Sequence, residues 1–288
     1  MRKILGISGS TRVWGNCESA VKQVLTAAMG EDAVTGFVRL PDLDIRPCKG
    51  CFRCVKEDGR CPLPDGLYGL LDEIEAYDDL VLAAPVYFLS PAGALVGLMD
   101  RLLAVNAYMT PREAPGRAVT MTLMGNQRWR GVAEPLLNLT ASLLGFEIME
   151  SLSLVAEGPG EIISSVETAE RLSRLGWALA KGEPPPASGR KGICPVCRSD
   201  FFRIEPPTVV CPICGLKGDL DTYAKDRVFR PSGDPAMWGR RWLAAHIDSW
   251  VRPSLERYLG HRQDILGRLR NLRTRYREQE ERGKQDVH

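Results

Sequence analysis

The chain is poor in histidine, in net charge and in uninterrupted apolar sequence, and each shortage closes a class of function. Three histidines, His246, His261 and His288, are scattered singly and read as surface or packing residues rather than metal ligands. A net charge of +2 over 288 residues does not call for a polyanionic partner for the whole molecule. The longest uncharged stretch, Leu80–Met99, is broken by Pro85, Pro91, Gly93 and Gly97, so it reads as buried strand, loop and helix rather than a membrane span. Arg2 and Lys3 are followed by an apolar run that meets Gly6, Ser8 and Gly9 too soon for a secretory signal. Neither the dinucleotide fingerprint G-x-G-x-x-G nor the Walker lysine pattern occurs, which disfavours a classical NAD fold and a P-loop NTPase. No constellation of catalytic acid, base or nucleophile stands out, and no internal repeat is evident.

What is present is alternation. Short apolar runs at Lys3–Ser8, Ala33–Leu40, Leu80–Pro85, Ala118–Met124 and Ile148–Val155 read as strands. Amphipathic runs at Cys17–Met29, Gly66–Tyr77, Ala92–Asn106, Val132–Leu144 and Ser164–Ala180 read as helices. Parallel strands need crossovers of a dozen residues or more, so five such units predict an α/β domain over 1–182 with a doubly wound, five-stranded parallel sheet. Residues 183–190, rich in proline, glycine and serine, read as a linker, 191–223 as a small cysteine-bearing module and 224–288 as a helical, basic extension. Within that extension, helices are predicted over Asp234–Leu259 and His261–Gly283, the second carrying Ile265, Leu266, Leu269, Leu272 and Tyr276 on one stripe amid six arginines from Arg262 to Arg277. Residues 223–288 carry 15 Lys and Arg against 9 Asp and Glu, whereas 1–182 carry 18 against 22. Trp238, Trp242 and Trp250 are expected to pack on the larger domain or on a partner; nucleic acid is not the expected partner of the arginines.

The turn after the first strand, Gly6-Ile7-Ser8-Gly9-Ser10-Thr11-Arg12 with Asn16 opening a helix, offers hydroxyls and free N–H groups to a phosphate dianion. The loops at Pro85-Val86-Tyr87-Phe88 and Gly125-Asn126-Gln127 should emerge on the same carboxyl edge, where open α/β sheets bind ligands. An aromatic slot beside a phosphate nest suits flavin mononucleotide (FMN). The Gly-Ser-Thr-Arg-x-x-x-Asn run at Gly9–Asn16, Pro85-Val86-Tyr87 with Asp100-Arg101, and the glycine-containing loop 125–131 resemble the flavodoxin-like NADPH-dependent FMN reductase superfamily over roughly residues 1–180. That resemblance implies FMN phosphate on Ser8, Ser10, Thr11, Arg12 and Asn16, and the flavin ring near Pro85–Phe88 and Gly125–Gln127. Cys17 replaces the small hydroxyl residue usual after that asparagine; it reads either as a cofactor contact or as a buried, inert thiol.

Nine cysteines, an odd number, fall into two tight groups plus Cys17, a pattern of metal ligation in a reducing cytoplasm rather than of disulfides. Cys48, Cys51, Cys54 and Cys61, in the loop 47–62, form C-x2-C-x2-C-x6-C, a spacing that favours a [4Fe–4S] cluster over zinc. Lys49, Arg53, Lys56 and Arg60 would offset its negative charge. A cysteine loop between strand two and helix two is similar to the iron-sulfur flavoprotein branch of the same superfamily, and the resemblance suggests a homodimer or homotetramer. Cys194, Cys197, Cys211 and Cys214 form C-x2-C-x13-C-x2-C, the signature of a zinc ribbon, with one-iron ligation as the alternative. The function expected is an oxidoreductase passing electrons between a ferredoxin-like carrier and a two-electron donor or acceptor. Two other readings stay open: an NAD(P)H-dependent flavin or quinone reductase holding zinc alone, and a redox-sensing protein that binds nucleic acid or another partner.

Overall fold

The computed structural model describes residues 1–56, 59–109, 112, 114–184, 192–221, 228–232 and 239–285. Most of the expected linker (185–190), Trp238 and His288 lie outside the described residues, as do the side chains of Tyr276 and Arg277.

β1 (Lys3–Ser8), β2 (Val34–Arg39), β3 (Asp79–Tyr87), β5 (Gly116–Met124) and β6 (Phe146–Val155) form a parallel sheet in the order β2-β1-β3-β5-β6. This is the flavodoxin-like doubly wound order. Alternate residues of each strand serve opposite faces. Ile4, Val81, Ala83, Val119, Met121 and Leu152 meet α1 (Asn16–Met29) and α6 (Val166–Lys181). Leu5, Ile7, Leu80 and Leu82 are also buried, and α2 (Leu67–Ala76) and α5 (Ala133–Leu143) pack against the sheet. α1 and α6 approach closely because residue 176 is glycine: a Cβ there would lie 2.2 Å from the Val24 carbonyl oxygen.

The uncharged stretch Leu80–Met99 resolves into β3, a hairpin to the two-residue strand β4 (Ser90–Pro91), and α3 (Gly93–Met99). The helix expected over Ala92–Asn106 is two helices, since α3 ends at Met99 and α4 (Leu102–Tyr108) restarts after Asp100 and Arg101. Among the described residues no helix is long and apolar enough to cross a membrane.

A second, antiparallel sheet of order β10-β9-β8-β7 joins β7 (Arg203–Glu205), β8 (Thr208–Val210), β9 (Lys217–Asp221) and β10 (Val228–Pro231). Its own apolar cluster gathers Cys194, Cys197, Cys211, Cys214, Leu216 and Phe229. Tertiary contacts divide the chain into two compact units, Met1–Ala244 and Ala245–His288. In the second, a π turn (Ile247–Val251) leads into α8 (Arg252–Gln285), which runs through Gly260, where the sequence predicts a break. Two Asp–Arg pairs four residues apart, Asp248–Arg252 and Asp264–Arg268, brace it.

One buried carboxylate ties the sheet together. Asp79, with no exposed surface, accepts hydrogen bonds from Arg2 at 2.7 and 2.8 Å and from the Arg117 side chain at 3.0 Å. Burial alone would raise its pKa, but the hydrogen bonds from both arginines outweigh it and hold the carboxyl below its ordinary value. Because the folded value is depressed, the stabilisation is present above the unfolded pKa of about 3.9 and fades as pH falls through the folded value. We expect Asp79→Asn to cost about 1.5–3 kcal/mol in urea unfolding at pH 7, by removing the charged acceptor that Arg2 and Arg117 share. The difference from wild type should shrink as pH falls toward 3; a constant difference would show that charge is not its origin.

Candidate functional site

The carboxyl ends of β1, β3, β5 and β6 open into a cleft of about 480 Å³, within the range of small-ligand sites. It lies where the chain leaves β1 for both flanking strands, the switch point at which open α/β sheets bind ligands. One end is polar. Ser10, Arg12 and Asn16 line it, and the N-terminus of α1, which no side chain caps, presents backbone N–H groups there. The Ser10 hydroxyl accepts the Arg12 amide at 3.1 Å and so shapes the turn. Asn16 donates to the Ala156 carbonyl at 3.3 Å and accepts from the Ile162 amide at 3.2 Å, tying the helix start to the loop after β6.

The other end is aromatic. Pro85, Val86, Tyr87 and Phe88 line one wall, and Gly125, Asn126 and Trp129 another. Phe88 and Trp129 meet edge to face at 6.0 Å. Two residues, Phe88 (φ 46°) and Leu89 (φ 66°), make the β3–β4 hairpin turn, both in left-handed conformation, where such turns favour Asn-Gly. The fold holds that strain by clamping the turn: the Leu89 carbonyl accepts the Val132 amide at 2.8 Å, and a Cβ on Gly131 (φ 51°) would collide with it at 2.1 Å. Phe88 is left 87% exposed at the mouth of the cleft.

Of the residues expected at the cofactor, Ser8, Thr11 and Gln127 do not line the cleft. Ser8 is wholly buried, its hydroxyl facing the Ser10 amide at 3.4 Å; Thr11 is exposed with its carbonyl bound by Arg39; Gln127 sits in an exposed turn. Cys17 does line the cleft, but burial pushes its thiol up to about 12, so it is a neutral S–H at physiological pH. Leu123, Met124, Trp129, Ala156 and Glu157 also line it. The carboxyl-edge rule applied to the fifth strand would have found Ala156 and Glu157.

Cys48, Cys51, Cys54 and Cys61 follow β2 on the same edge and line a separate small cavity of about 30 Å³, with Leu63, Arg101 and Ala104 behind them. Burial, then the neighbouring Cys61, Cys48 and Cys51, push the Cys54 thiol up to about 11. The loop is stapled at its base: Asp65 accepts the Arg46 amide at 3.0 Å and the Arg101 guanidinium at 2.6 Å, while Arg101 also donates to the Arg46 carbonyl at 2.8 Å.

Cys194, Cys197, Cys211 and Cys214 are all buried, with sulfurs within 4.8 Å of one another and two pairs at 3.5 Å; among the described residues they are the group of metal-ligating side chains drawn this tightly. A tetrahedron with zinc–sulfur bonds of 2.3 Å has edges of roughly 3.8 Å, so the pocket fits one ion. The knuckle docks on the larger sheet's helix: the Asn138 amide donates to the Cys197 carbonyl at 3.0 Å and to Ser151 at 3.0 Å, and Arg198 donates to the Ile148 carbonyl at 3.0 Å.

Two outcomes check this geometry. Alkylation of the metal-free native protein at pH 8 should label Cys48 and Cys51 and leave Cys17 unmodified; fast labelling of Cys17 would contradict its raised pKa. Phe88→Gly should stabilise the ligand-free protein by about 1 kcal/mol, because glycine meets no penalty at positive φ. Thermal unfolding that shows a loss instead would mean the turn is unstrained.

Comparison with known proteins agrees with this architecture. Residues 2–157, more than half of the chain, match the family described as NADPH-dependent FMN reductase. An iron-sulfur flavoprotein of Methanocaldococcus jannaschii is 37% identical over 119 residues, 41% of this chain and 61% of that protein. One from Methanosarcina thermophila is 34% identical over 99 residues, 34% of this chain and 51% of its own length. One from Archaeoglobus fulgidus is 26% identical over 193 residues, 62% and 79%. The chain thus spans about half to three fifths of the first two relatives. A solved flavone reductase superposes with TM-score 0.65 at 17% identity, covering 89% of this chain and 92% of that one, a likeness of fold. By its sheet order, its edge cleft and this match, the chain belongs to the NADPH-dependent FMN reductase family.

Proposed function

We propose that the protein is an FMN-dependent oxidoreductase that also carries a [4Fe–4S] cluster on Cys48, Cys51, Cys54 and Cys61 and a structural zinc on Cys194, Cys197, Cys211 and Cys214. It would pass electrons between a ferredoxin-like one-electron carrier and a two-electron donor or acceptor, NAD(P)H included. The observation that carries the reading is the difference between the two sulfur quartets. The ribbon sulfurs close to single-ion spacing. The loop sulfurs line one shared cavity and are not drawn to that spacing, and their C-x2-C-x2-C-x6-C run is the spacing that favours a cubane. Iron-sulfur flavoproteins among the relatives support the same assignment.

When bound, FMN would supply one- or two-electron chemistry and the cluster one-electron chemistry. The chain's part is to hold and to exclude. Ser10, Arg12, Asn16 and the uncapped amides of α1 would bind the phosphate. Tyr87, Phe88 and Trp129 would cover the ring and keep water from it. Cys17, neutral, would add a contact without charge. Cytoplasm is the compartment that keeps eight ligand thiols reduced.

Protein purified without oxygen should be coloured and yield one FMN, four iron, four sulfide and one zinc per chain. Zinc at both sites with no sulfide would sink the cluster and favour direct NAD(P)H chemistry. Arg12→Ala should weaken FMN about tenfold or more, the worth of a charge-assisted hydrogen bond, measured by fluorescence quenching. Unaltered affinity would remove Arg12 from the phosphate site.

A further inference from the structure

Arg101 is a guanidinium whose hydrogen bonds are half made. It is 1% exposed, as deep as the aliphatic core. One nitrogen, Nη1, is fully used, donating to Asp65 Oδ2 at 2.6 Å and to the Arg46 carbonyl at 2.8 Å. The other two, Nε and Nη2, are buried with no hydrogen-bond partner. A buried donor left unmade costs about 1–3 kcal/mol, and more on a charged group, so a native structure rarely keeps two on one side chain without a use for them. Their surroundings supply the use. Arg101 forms part of the cavity wall shared by Cys48, Cys51, Cys54 and Cys61. An arginine keeps its charge in a protein, and the Asp65 carboxylate at 2.6 Å pairs it.

Three features make this more than a loop staple. Asp65 alone would have satisfied the base of the loop, since it already accepts the Arg46 and Leu67 amides at 3.0 and 3.2 Å. The residue restarts the chain between α3 and α4, a break that brings the side chain inward at the cavity rather than along a helix face. And the four basic residues that flank the cysteines, Lys49, Arg53, Lys56 and Arg60, are all exposed and screened by water, so a buried charge is the one that can act strongly on the cavity.

We propose that Arg101 donates hydrogen bonds from Nε and Nη2 to the sulfur atoms of the group held by Cys48, Cys51, Cys54 and Cys61, and that this buried cation sets the group's reduction potential. The inference rests on the [4Fe–4S] reading above. Reduction adds one negative charge to a thiolate-ligated cluster; a buried cation and two N–H donors beside it favour that state and raise the potential. The residue also selects what the site accepts, because N–H donors suit inorganic sulfide and thiolate and do not ligate a metal.

The test uses full-length protein loaded without oxygen. With arginine labelled by ¹⁵N, pulsed EPR of the reduced wild-type cluster should show coupling to guanidinium nitrogen, and Arg101→Lys, which keeps the charge and a bond to Asp65, should lose it. In Asp65→Asn/Arg101→Gln the cluster's midpoint potential should lie at least 59 mV below that of Asp65→Asn alone, the two differing by the cation and its N–H donors, a tenfold change in the one-electron equilibrium. Wild-type protein that holds iron and sulfide but shows no nitrogen coupling, or a double variant at the potential of Asp65→Asn, overturns the role of Arg101 and leaves the cluster standing. Wild-type protein with no sulfide overturns the cluster reading instead. Should any variant fail to load, the wild-type coupling decides alone.

Discussion

The site depends on β1 pairing in parallel with β2 on one side and β3 on the other. Parallel pairing sends every strand's carboxyl end to one edge, and a strand flanked on both sides by its successors opens a crevice there. The turn after β1, the strained hairpin after β3 and the loops after β5 and β6 therefore share one cleft, although they come from positions as far apart as Ser10 and Glu157. The cysteine loop reaches the same edge for the same reason, since it follows β2. In the proposed function, one backbone pattern brings the two redox groups to the same side of the sheet.

Buried charge is the second organising feature. Asp79, Arg101 and Arg240 are all buried, and each is placed at a junction. Asp79 joins the start of the chain to β3 and β5. Arg101 closes the cysteine loop on Asp65. Arg240 donates to the Leu144 carbonyl at 3.1 and 2.8 Å and to Glu75 at 2.7 Å, filling the end of α5. Buried ion pairs are costly to desolvate and add little net stability over an apolar core. Their worth here is positional: each holds one arrangement of chain that apolar packing alone would leave free to slide.

The ribbon is joined to the sheet by polar contacts as well as by packing. Asn138 bridges the Cys197 carbonyl and Ser151, Ser151 reaches Glu134 at 3.1 Å, and Arg130 pairs with Asp200 just beyond the knuckle. Arg130 belongs to the loop that ends at Gly131, beside the cleft's Trp129 wall. A metal ion bound at the knuckle would add to the ribbon's own small core, in which Phe202, Val209 and Ile213 pack against the four cysteines, Val196, Leu216 and Phe229.

Much of this was legible in the chain. Five strands and their helices came from apolar periodicity, within a few residues, because a sheet buried on both faces needs unbroken runs and an amphipathic helix needs its stripe. The ribbon's sulfur quartet came from spacing, since ligand geometry constrains near neighbours in sequence. The break at Asp100 and Arg101 did not, because an apolar run reads the same with or without a kink. Nor did the exclusion of Ser8, whose hydroxyl looks like its neighbour's until the strand is seen to carry it inward, or the inclusion of Ala156 and Glu157, which carry no motif. Sequence by itself determined the elements, the family resemblance and the candidate ligands. Tertiary structure alone decided which side chains face the cleft, that Phe88 and Leu89 bear a strained turn, and that Arg101 lies buried with donors to spare. These are relations across 36 to 140 residues of chain, set by packing and register, and local periodicity carries no record of them.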